Sequence, residues 1–405
     1  MAMNVMQPNE KKISLALGAV VEMSYLWAGA DKGIETEMQG KDNGETIYYR
    51  VTQLGDPTFV EDMGAADFED DGSLALNATA IKQVTVPVKM NDSCIMYNIK
   101  AFERQVTSIG EDAASAKVGQ KLGKKAVRKI IDKDVDTIGN VFVCGANDSF
   151  ETFQKATSFL KSYVDGTLYG WMDWQIWGEL TGKGQQAVPC ALAGARFGKD
   201  LKGSWALIDQ LRTVGDISVI EAPSAVVSSG VTAAANAETG TITLAGSSVS
   251  IKKGDMFTIA GVYAKDVNDM PTTKLFVFKA AADITAAGDA TSKLTNAVYG
   301  LQGANGWCTP TAVTAGAVKS VLTAGKKYAA CIIRADGAQA FGSMKTCDCE
   351  GAKYEKSSLD GVTIHVNSGE NVKALKTDKR FDMIFASKLV EPRAAALVLY
   401  PLTIA

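Results

Sequence analysis

One stretch of the sequence limits the fold more than any other, because it predicts a helix too long for a small compact domain. Between residues 92 and 138 apolar side chains recur at helical spacing, and no proline interrupts them. Asn91, Asp92 and Ser93 offer N-caps, and Gly139-Asn140 offers a stop. At about 1.5 Å per residue such a helix would be about 60 Å long, so we expect a large, flat subunit. The apolar positions are Ile95, Ile99, Phe102, Val106, Ile109, Ala113, Ala116, Leu122, Ala126 and Ile130.

The predicted helix carries a row of basic residues at spacings of three and four. Like charges at such spacings disfavour an isolated helix by ~0.2–0.5 kcal/mol per pair. The row is therefore either a solvated face or a contact for a partner of opposite charge, which would be another subunit or a polyanion. Its members are Lys117, Lys121, Lys124, Lys125, Arg128, Lys129 and Lys133. Beside it, Ala116, Gly119, Gly123 and Ala126 form a strip of small residues that another backbone could approach closely.

An acidic segment lies between two strand-like runs, Thr46 to Val51 and Gln83 to Val88. The two runs predict a hairpin whose connection, about thirty residues, is longer than most loops. Such a hairpin would begin beside the helix and point away from it, so we expect its acidic residues to contact a second copy of the chain. These residues are Glu61, Asp62, Asp67, Glu69, Asp70 and Asp71, and no lysine or arginine lies among them.

Two further helices are predicted from apolar spacing. Residues 9–28 form an amphipathic helix, which could pack on its own domain or reach a neighbouring chain. Residues 150–180 predict a helix that carries Trp171, Trp174 and Trp177 on one face. An aromatic stripe of this kind is typical of a buried core or a subunit interface.

The composition changes sharply at about residue 222. From there to residue 323 the chain is rich in Ala, Thr, Ser, Gly and Val, and short strand-like runs recur. We interpret this part as a small antiparallel β domain inserted into an α+β chain. Strand-like runs resume afterwards at residues 328–333, 361–366, 383–385 and 395–400.

Composition excludes several classes of protein. The seven cysteines are odd in number and scattered, which does not fit a disulfide scaffold and favours a reducing compartment. A net charge of −3 gives no general attraction to nucleic acid, so any basic surface has to be local. The first residues lack the order of a signal peptide, and no apolar run reaches the ~18 residues that a membrane span requires.

The residues that usually carry catalysis are sparse. His365 is the only histidine and alternates within a predicted strand, so we expect a structural role. Cys347-Asp-Cys349 lacks the spacing of a zinc site. The run from Gly178 to Gly184 ends in glycine where a phosphate-binding loop needs Ser or Thr. We therefore expect no enzyme activity, no metal and no cofactor.

The order of these parts resembles that of the major capsid (coat) proteins of short-tailed phages. More narrowly, it resembles the branch that adds an inserted β-barrel (I) domain to the Hong Kong 97-type capsid fold. Residues 240–244 and 251–263 are similar to that inserted domain, with its Lys-x-Gly-Asp and Ala-Gly-Val core. Residues 84–138 are similar to the hairpin's return strand and the spine helix, and residues 391–402 to the C-terminal strand. The similarity covers residues 9–143, 212–279 and 380–405.

The resemblance implies an α+β fold with a long spine helix, an extended hairpin (E-loop), an α+β A-domain and an inserted antiparallel β domain. It implies these parts in order: an N-terminal arm (1–36), the E-loop hairpin (37–91), the P-domain with the spine helix (92–145), the A-domain and P-domain core (146–222 and 326–390), the inserted domain (223–325) and a C-terminal strand (391–405).

The implied function is a structural one. Many copies would close, as hexamers and pentamers, into an icosahedral shell that first forms as a procapsid in the host cytoplasm and then encloses DNA. The implied partners are the chain itself, a scaffolding protein, a portal and non-specifically bound double-stranded DNA, with no membrane. Two alternatives stay open: an encapsulin-like shell protein, against which the inserted β domain argues, and an enzyme of unknown class.

Overall fold

A computed structural model gives the structure of the protein. It describes residues 16–18, 29–31, 46–54, 81–100, 108–145, 149–164, 166–173, 176, 210–213, 220–221, 232–236, 241–245, 249–267, 270–280, 283–286, 290–293, 308–309, 312–345, 352–359, 361–371 and 376–402.

The described elements are mostly strands. The helices include α1 (Ser108–Thr137), α2 (Ser149–Lys161) and a 3-10 turn at Pro392–Ala394, and residues 16–18 are also helical. The strands of the first half are β1 (Thr46–Leu54), β2 (Ile81–Lys100), β3 (Val141–Val143), β4 (Leu168–Met172), β5 (Gln210–Thr213), β6 (Ile220–Glu221), β7 (Thr232–Asn236), β8 (Thr241–Ala245) and β9 (Val249–Ile251). The later strands are β10 (Met256–Lys265), β11 (Pro271–Lys279), β12 (Ile284–Ala286), β13 (Ala290–Lys293), β14 (Cys308–Thr309), β15 (Ala312–Ser320), β16 (Lys327–Ala335), β17 (Gln339–Ser343), β18 (Lys353–Leu359), β19 (Val362–Asn371), β20 (Lys376–Leu389) and β21 (Ala395–Pro401).

The predicted hairpin is present as β1 and β2, and β2 is longer than the sequence indicated. Residues 81–89 of β2 pair antiparallel with β1, whereas residues 90–100 pair with β20. The outer half of β2 therefore forms a two-stranded ribbon with β1, about 30 Å long at ~3.3 Å per residue. Its inner half belongs to a sheet with strand order β1-β2-β20-β19-β18.

The predicted start of the long helix is wrong. Residues 92–100 are strand and the helix begins at Ser108, so α1 has 30 residues and is about 45 Å long. Ile95, Tyr97 and Ile99 also satisfy the period of two of a strand, and pairing with β20 decides between the two periods. The predicted stop is confirmed, since α1 ends two residues before Gly139.

The predicted helix over residues 150–180 is also wrong in its second half. Helix α2 ends at Lys161, and Trp171 lies on β4, which pairs with β16. A turn at Gly166, whose φ of 130° favours glycine, separates the two elements. Trp171 is buried, as expected of the aromatic stripe, whereas Trp174 and Trp177 lie outside the described residues.

The main core lies between the two helices and a sheet with strand order β3-β21-β16-β4-β5. The central strands β16 and β21 are apolar along almost their whole length and buried on both faces, as expected of strands covered on each side. Helix α1 contributes Leu122, Ala126, Ile130 and Ile131 to this core. Leu122, Ala126 and Ile130 confirm the apolar face that the sequence predicted for this half of the helix, and Ile131 widens it.

The strands between residues 232 and 320 pair with one another. Six of them form the path β11-β10-β15-β7-β8-β13, β14 adds to β10, and β9 pairs with β12. The strands that the sequence predicted at 241–244, 256–260 and 274–279 are confirmed. This sheet meets the end of α1, where Phe276 packs on Gly139 and the Val277 N–H donates to the Gly139 carbonyl at 3.0 Å.

Helices of membrane-spanning length and hydropathy do not occur in the described part of the chain.

Candidate functional site

The basic row lies on the exposed face of α1. Lys117, Lys121, Lys124, Lys125 and Arg128 are exposed, while the opposite face of the helix is buried. For Lys117, Lys121, Lys125 and Arg128, the structure shows no ion pair to a described residue. The upper part of the row, defined here as residues 117–128, therefore presents a concentration of positive charge to solvent.

The lower end of the same row contacts the base of the hairpin. The Lys133 amine donates to the side-chain oxygen of Asn91 at 3.0 Å, and the Lys129 amine donates to the backbone carbonyl of Asp92. Both acceptors lie on β2, at the point where it passes from the ribbon into the sheet. The last two lysines of the predicted row therefore help to hold the hairpin within its own chain.

Two lysines outside the predicted row join this end. The Lys388 amine, from β20, donates to the carbonyl of Pro87 at 2.8 Å. Burial and the nearby charge of Lys133 lower the pKa of Lys388. Burial, Lys129 and Lys89 lower the pKa of Lys133, and Asp134 opposes them without reversing the shift. We call Lys89, Lys129, Lys133 and Lys388 the hairpin-base cluster.

Beside the cluster, two carboxylates and a thiol come together. Asp92, Cys94 and Asp382 bring their ligand atoms within 4.8 Å of one another, which is a geometry that could suit a cation. The guanidinium of Arg380 binds both acids, at 2.7 Å to Asp382 and 3.3 Å to Asp92. The hydrogen bond to Asp382 raises the pKa of Arg380. The positive charge of Arg380 therefore balances the two carboxylates, and these contacts join β2 to β20.

A buried carboxyl on α1 and a buried guanidinium on the central sheet lie near each other. Asp134 is 2% exposed and lies near Arg334 of β16, which is fully buried. The Arg334 guanidinium stacks on Trp171, 4.3 Å from the ring centroid. Burial raises the pKa of Asp134 to about 7 against the attraction of Arg334. The pair was missed from the sequence, although Asp134 interrupts the apolar stripe of Ile130, Ile131 and Ile138, which is a usable signal.

The strip of small residues accepts another backbone, as predicted, at Gly119. A Cβ at Gly119 would overlap the carbonyl oxygen of Ala16, which belongs to the helical residues 16–18. Ala16 and Leu17 join the main core. Of the two possibilities for the N-terminal helix, packing on its own domain is the one observed for these residues.

The structural role expected of His365 is confirmed. The ring is buried on β19, its Nδ1 lies 2.7 Å from the Tyr354 hydroxyl, and its Nε2 lies 2.8 Å from the Met344 carbonyl. In the tautomer that suits both neighbours, Nε2–H donates to the carbonyl and Nδ1 accepts from the hydroxyl. Burial lowers the pKa of His365, which keeps the ring neutral.

A cleft of about 410 Å³ opens between α2 with β3 and the sheet that contains β10 and β11. Its lining is apolar apart from two threonines, Lys155 and Lys274, and the described lining includes no carboxylate or histidine. The Lys274 amine lies 3.7 Å from the ring centroid of Phe142, and burial lowers the pKa of Lys274 to about 8. Of its two lysines, Lys155 pairs with Glu151 at 2.8 Å, and Lys274 lies on an apolar surface.

Several predicted residues lie outside the part of the chain that the structure describes. The acidic segment is among them, as are the cysteine pair and the glycine-rich run considered as a phosphate loop. These residues are Glu61, Asp62, Asp67, Glu69, Asp70, Asp71, Cys347, Cys349 and 178–184.

Comparison with known proteins finds similarity at the level of structure alone. No protein-family model matches the chain, and no curated protein matches it. A chain of Mycobacterium phage Che8 aligns at 11% identity with a TM-score of 0.44, covering 91% of this chain and 89% of that one. The capsid structure of Cyanophage P-SCSP1u aligns at 11% identity with a TM-score of 0.40, over 90% of this chain and 86% of that one.

A virus-like particle from Pyrococcus furiosus also aligns, at 9% identity with a TM-score of 0.40, over 96% of this chain and 98% of that one. The structural neighbours are thus phage and virus-like-particle chains aligned over most of their length. Identities of 9–11% and TM-scores below 0.5 are too low to transfer residue roles from those proteins to this one.

Proposed function

We propose that the chain is a major capsid protein that self-assembles into an icosahedral shell enclosing phage DNA. The observation that supports this most directly is the ribbon formed by β1 and the outer half of β2. A two-stranded hairpin is marginally stable by itself in water, and no described strand pairs with the free side of β1. The base of the ribbon packs on its own chain, where Ile47 and Val88 are buried against Ala340, Ala386 and Val390. We infer that the outer part, toward Leu54 and Ile81, rests on a neighbouring copy in the shell.

The resemblance in the order of parts supports the finer assignments. Strands β1 and β2 take the place of the E-loop, α1 that of the spine helix, and the sheet between residues 232 and 320 that of the inserted domain. The partners proposed with this function are other copies of the chain, a scaffolding protein, a portal and packaged DNA, and the location is the virion shell after assembly in the host cytoplasm.

The basic row and the acidic segment have complementary roles in this proposal. The upper part of the row, residues 117–128, would face either a neighbour's acidic hairpin or a polyanion inside the shell. Reversal of Lys117, Lys121 and Lys125 to Glu should reduce nuclease-protected DNA in purified particles at least severalfold. If assembly and DNA retention are both unchanged, the row contacts neither a neighbour's acidic hairpin nor a polyanion.

The hairpin provides the test of the proposal. Leu54 and Ile81 are paired residues, so residues 55–80 can be replaced by Asn-Gly, a two-residue hairpin turn, without disturbing the described ribbon. We expect this variant to unfold at the same temperature as the unmodified chain, yet to form shells at least tenfold less efficiently in electron micrographs. If it assembles as well as the unmodified chain does, the hairpin is not an assembly element.

A control variant separates charge from length. Replacing the six acidic residues by Asn or Gln keeps all 26 residues of the connection but removes the charge that is proposed to bind a neighbour. Assembly that fails in the shortened variant and survives in the neutral one would assign the function to the length of the hairpin instead of its charge.

A further inference from the structure

The cleft of about 410 Å³ lies between two parts of the chain that are far apart in sequence. One wall consists of β3 and α2, and the other consists of β10, β11 and the residue that follows β15. Apolar walls with a few polar groups are typical of small-molecule sites, whose volumes are ~300–1,000 Å³. The apolar side chains of the lining are Val141, Phe142, Val143, Leu275, Val277 and Val321.

Lys274 of β11 brings a positive charge into this apolar surface. Its amine lies 3.7 Å from the ring centroid of Phe142, which belongs to the opposite wall. Burial lowers the pKa of Lys274 to about 8, and no carboxylate of the described residues opposes that shift. A ring face attracts a cation more weakly than a carboxylate does. The half-buried amine is therefore suited to pair with an anion that enters the cleft.

The other charged groups near this amine leave the cleft positive. Lys155 of α2 is exposed and pairs with Glu151 at 2.8 Å. Lys319 of β15 is exposed and lies opposite Thr258 in the register of β10 with β15. The hydroxyls of Thr152 and Thr258 are the remaining polar groups of the described lining. An anion that reaches Lys274 thus meets a second cation and two hydroxyls at this cleft.

We propose that the cleft binds an apolar monocarboxylate, whose carboxylate pairs with the Lys274 amine and whose alkyl or aryl body fills the space between the two walls. At ~30 Å³ for a group the size of a water molecule, the cleft accommodates an acid of about a dozen non-hydrogen atoms. The basic row and the hairpin contribute no residue to the described lining, so this site does not depend on assembly into a shell.

The lining favours a single carboxylate over a phosphate group. A phosphate group carries up to two negative charges and three oxygens that need strong donors. The cleft offers one half-buried amine and two hydroxyls among mostly apolar side chains. A nucleic acid would in addition need a track of cations along its backbone. An apolar acid needs one charged contact, and its body gains free energy by leaving water.

Calorimetric titration of the purified full chain tests the proposal with octanoate, octan-1-ol and acetate. Octan-1-ol has the same alkyl body without the charge, and acetate has the charge without the body. We expect octanoate to bind at least about tenfold more tightly than either, because a hydrogen bond to a charged group contributes a factor of about ten or more. Octanoate that binds no more tightly than octan-1-ol or acetate, or that does not bind at millimolar concentration, overturns the proposal.

Substitution of the amine gives a second test. Lys274→Met keeps an unbranched side chain but removes the charge, so it should weaken octanoate binding at least about tenfold and leave octan-1-ol binding within about twofold. Lys155→Met removes the other lysine of the lining and is the matched control, which should bind octanoate within about twofold of the unmodified chain. Thermal unfolding without ligand shows whether each variant folds. Octanoate binding that survives in a folded Lys274→Met chain contradicts the proposal.

Proton uptake gives a measurement that requires no variant. A carboxylate beside the Lys274 amine favours its charged form and raises its pKa. Because about half of this amine is neutral at pH 8 in the free chain, octanoate binding should take up about half a proton there. Calorimetry in two buffers of different ionisation enthalpy measures that uptake, and the affinity should fall as the pH rises above 8.

The same measurement on variants assigns the proton. Uptake should disappear in Lys274→Met and persist in Lys155→Met and Lys319→Met, and octanoate binding without uptake would place its carboxylate on another group and overturn the proposal. The two proposals of function fail separately. A chain that forms shells but binds no octanoate contradicts only this site, whereas a chain that binds octanoate but forms no shells contradicts only the capsid function.

Discussion

The C-terminal end and the middle of α1 use charge in opposite ways. Toward its C-terminal end, Asp134 is buried beside Arg334, and Lys129 and Lys133 donate to acceptors on β2. Toward its middle, Lys117, Lys121 and Lys125 are exposed, with no ion pair to a described residue. The difference teaches that the charges near the C-terminal end contact the rest of the subunit, while those near the middle face solvent.

The largest effect should come from breaking the buried pair. Arg334→Met removes a buried guanidinium that stacks on Trp171 and favours the ionised form of the Asp134 carboxyl, so we expect a loss of about 3 kcal/mol in the free energy of unfolding, measured by urea denaturation. The double variant Arg334→Met with Asp134→Leu should recover much of that loss, because it removes both charges. Lys125→Met on the exposed face is the matched control and should change stability by less than about 0.5 kcal/mol. A loss of similar size in the control would erase the contrast between the two regions.

A smaller effect is expected where the N-terminal residues pack on the helix. Gly119→Val places side-chain atoms where the carbonyl of Ala16 lies, so we expect overpacking to cost about 1–3 kcal/mol. Thermal unfolding of the two chains gives the comparison. The control is Gly18→Ala, because a Cβ there meets nothing within 4 Å, and this change should be neutral or slightly stabilising. Equal tolerance of both substitutions would show that residues 16–18 do not pack on α1 as described.

The pH dependence of stability distinguishes buried from exposed ionisable groups. His365 is buried, and its pKa in the folded chain lies below the usual 6.5. The ring therefore binds a proton more readily in the unfolded chain than in the folded one. Its contribution to stability is complete above pH 6.5 and is lost as the pH falls below that value. We expect the unmodified chain to lose stability more steeply than His365→Gln between pH 7 and pH 5 in urea titrations. Parallel curves for the two chains would mean that His365 is already solvated in the folded state.

The smallest stability effect belongs to the exposed row. Lys121→Glu turns repulsive pairs with Lys117 and Lys125 into attractive ones, which should stabilise the helix by a few tenths of a kcal/mol. The gain should vanish in high salt, since exposed charges are screened. A large loss of stability on this change would show that the row is required for folding, and the comparison between the two regions would fail.

Much of the fold could be predicted from local patterns. The strands at 241–245, 256–265 and 395–401 are short runs of strand-forming residues bounded by turn residues. For 256–265 and 395–401, the observed burial follows from their apolar side chains. The buried face and the C-terminal stop of α1 were equally visible, because side chains at helical spacing and a following glycine are local features.

The errors came where distant pairing decides. Residues 92–100 fit both a helical and a strand period, and the strand prevails because β20, nearly three hundred residues later, supplies the hydrogen bonds. Residues 168–172 likewise become strand by pairing with β16. A periodicity argument contains no information about such partners.

The same reason explains which site residues were missed. The basic row is a local pattern, so Lys129 and Lys133 were predicted as part of it. Lys89 and Lys388 join them only because β2 and β20 are neighbours in the sheet, and the register of that pairing cannot be read from either strand alone.

The most direct test of the central claim, that this chain is a shell subunit, is the mass of the purified protein in solution, with electron microscopy of the same sample. Our account predicts closed particles of megadalton mass, or a monomer that polymerises into them when a scaffolding protein is added. A chain that stays a 42.8 kDa monomer under every assembly condition, with the hairpin folded on its own body, would contradict it.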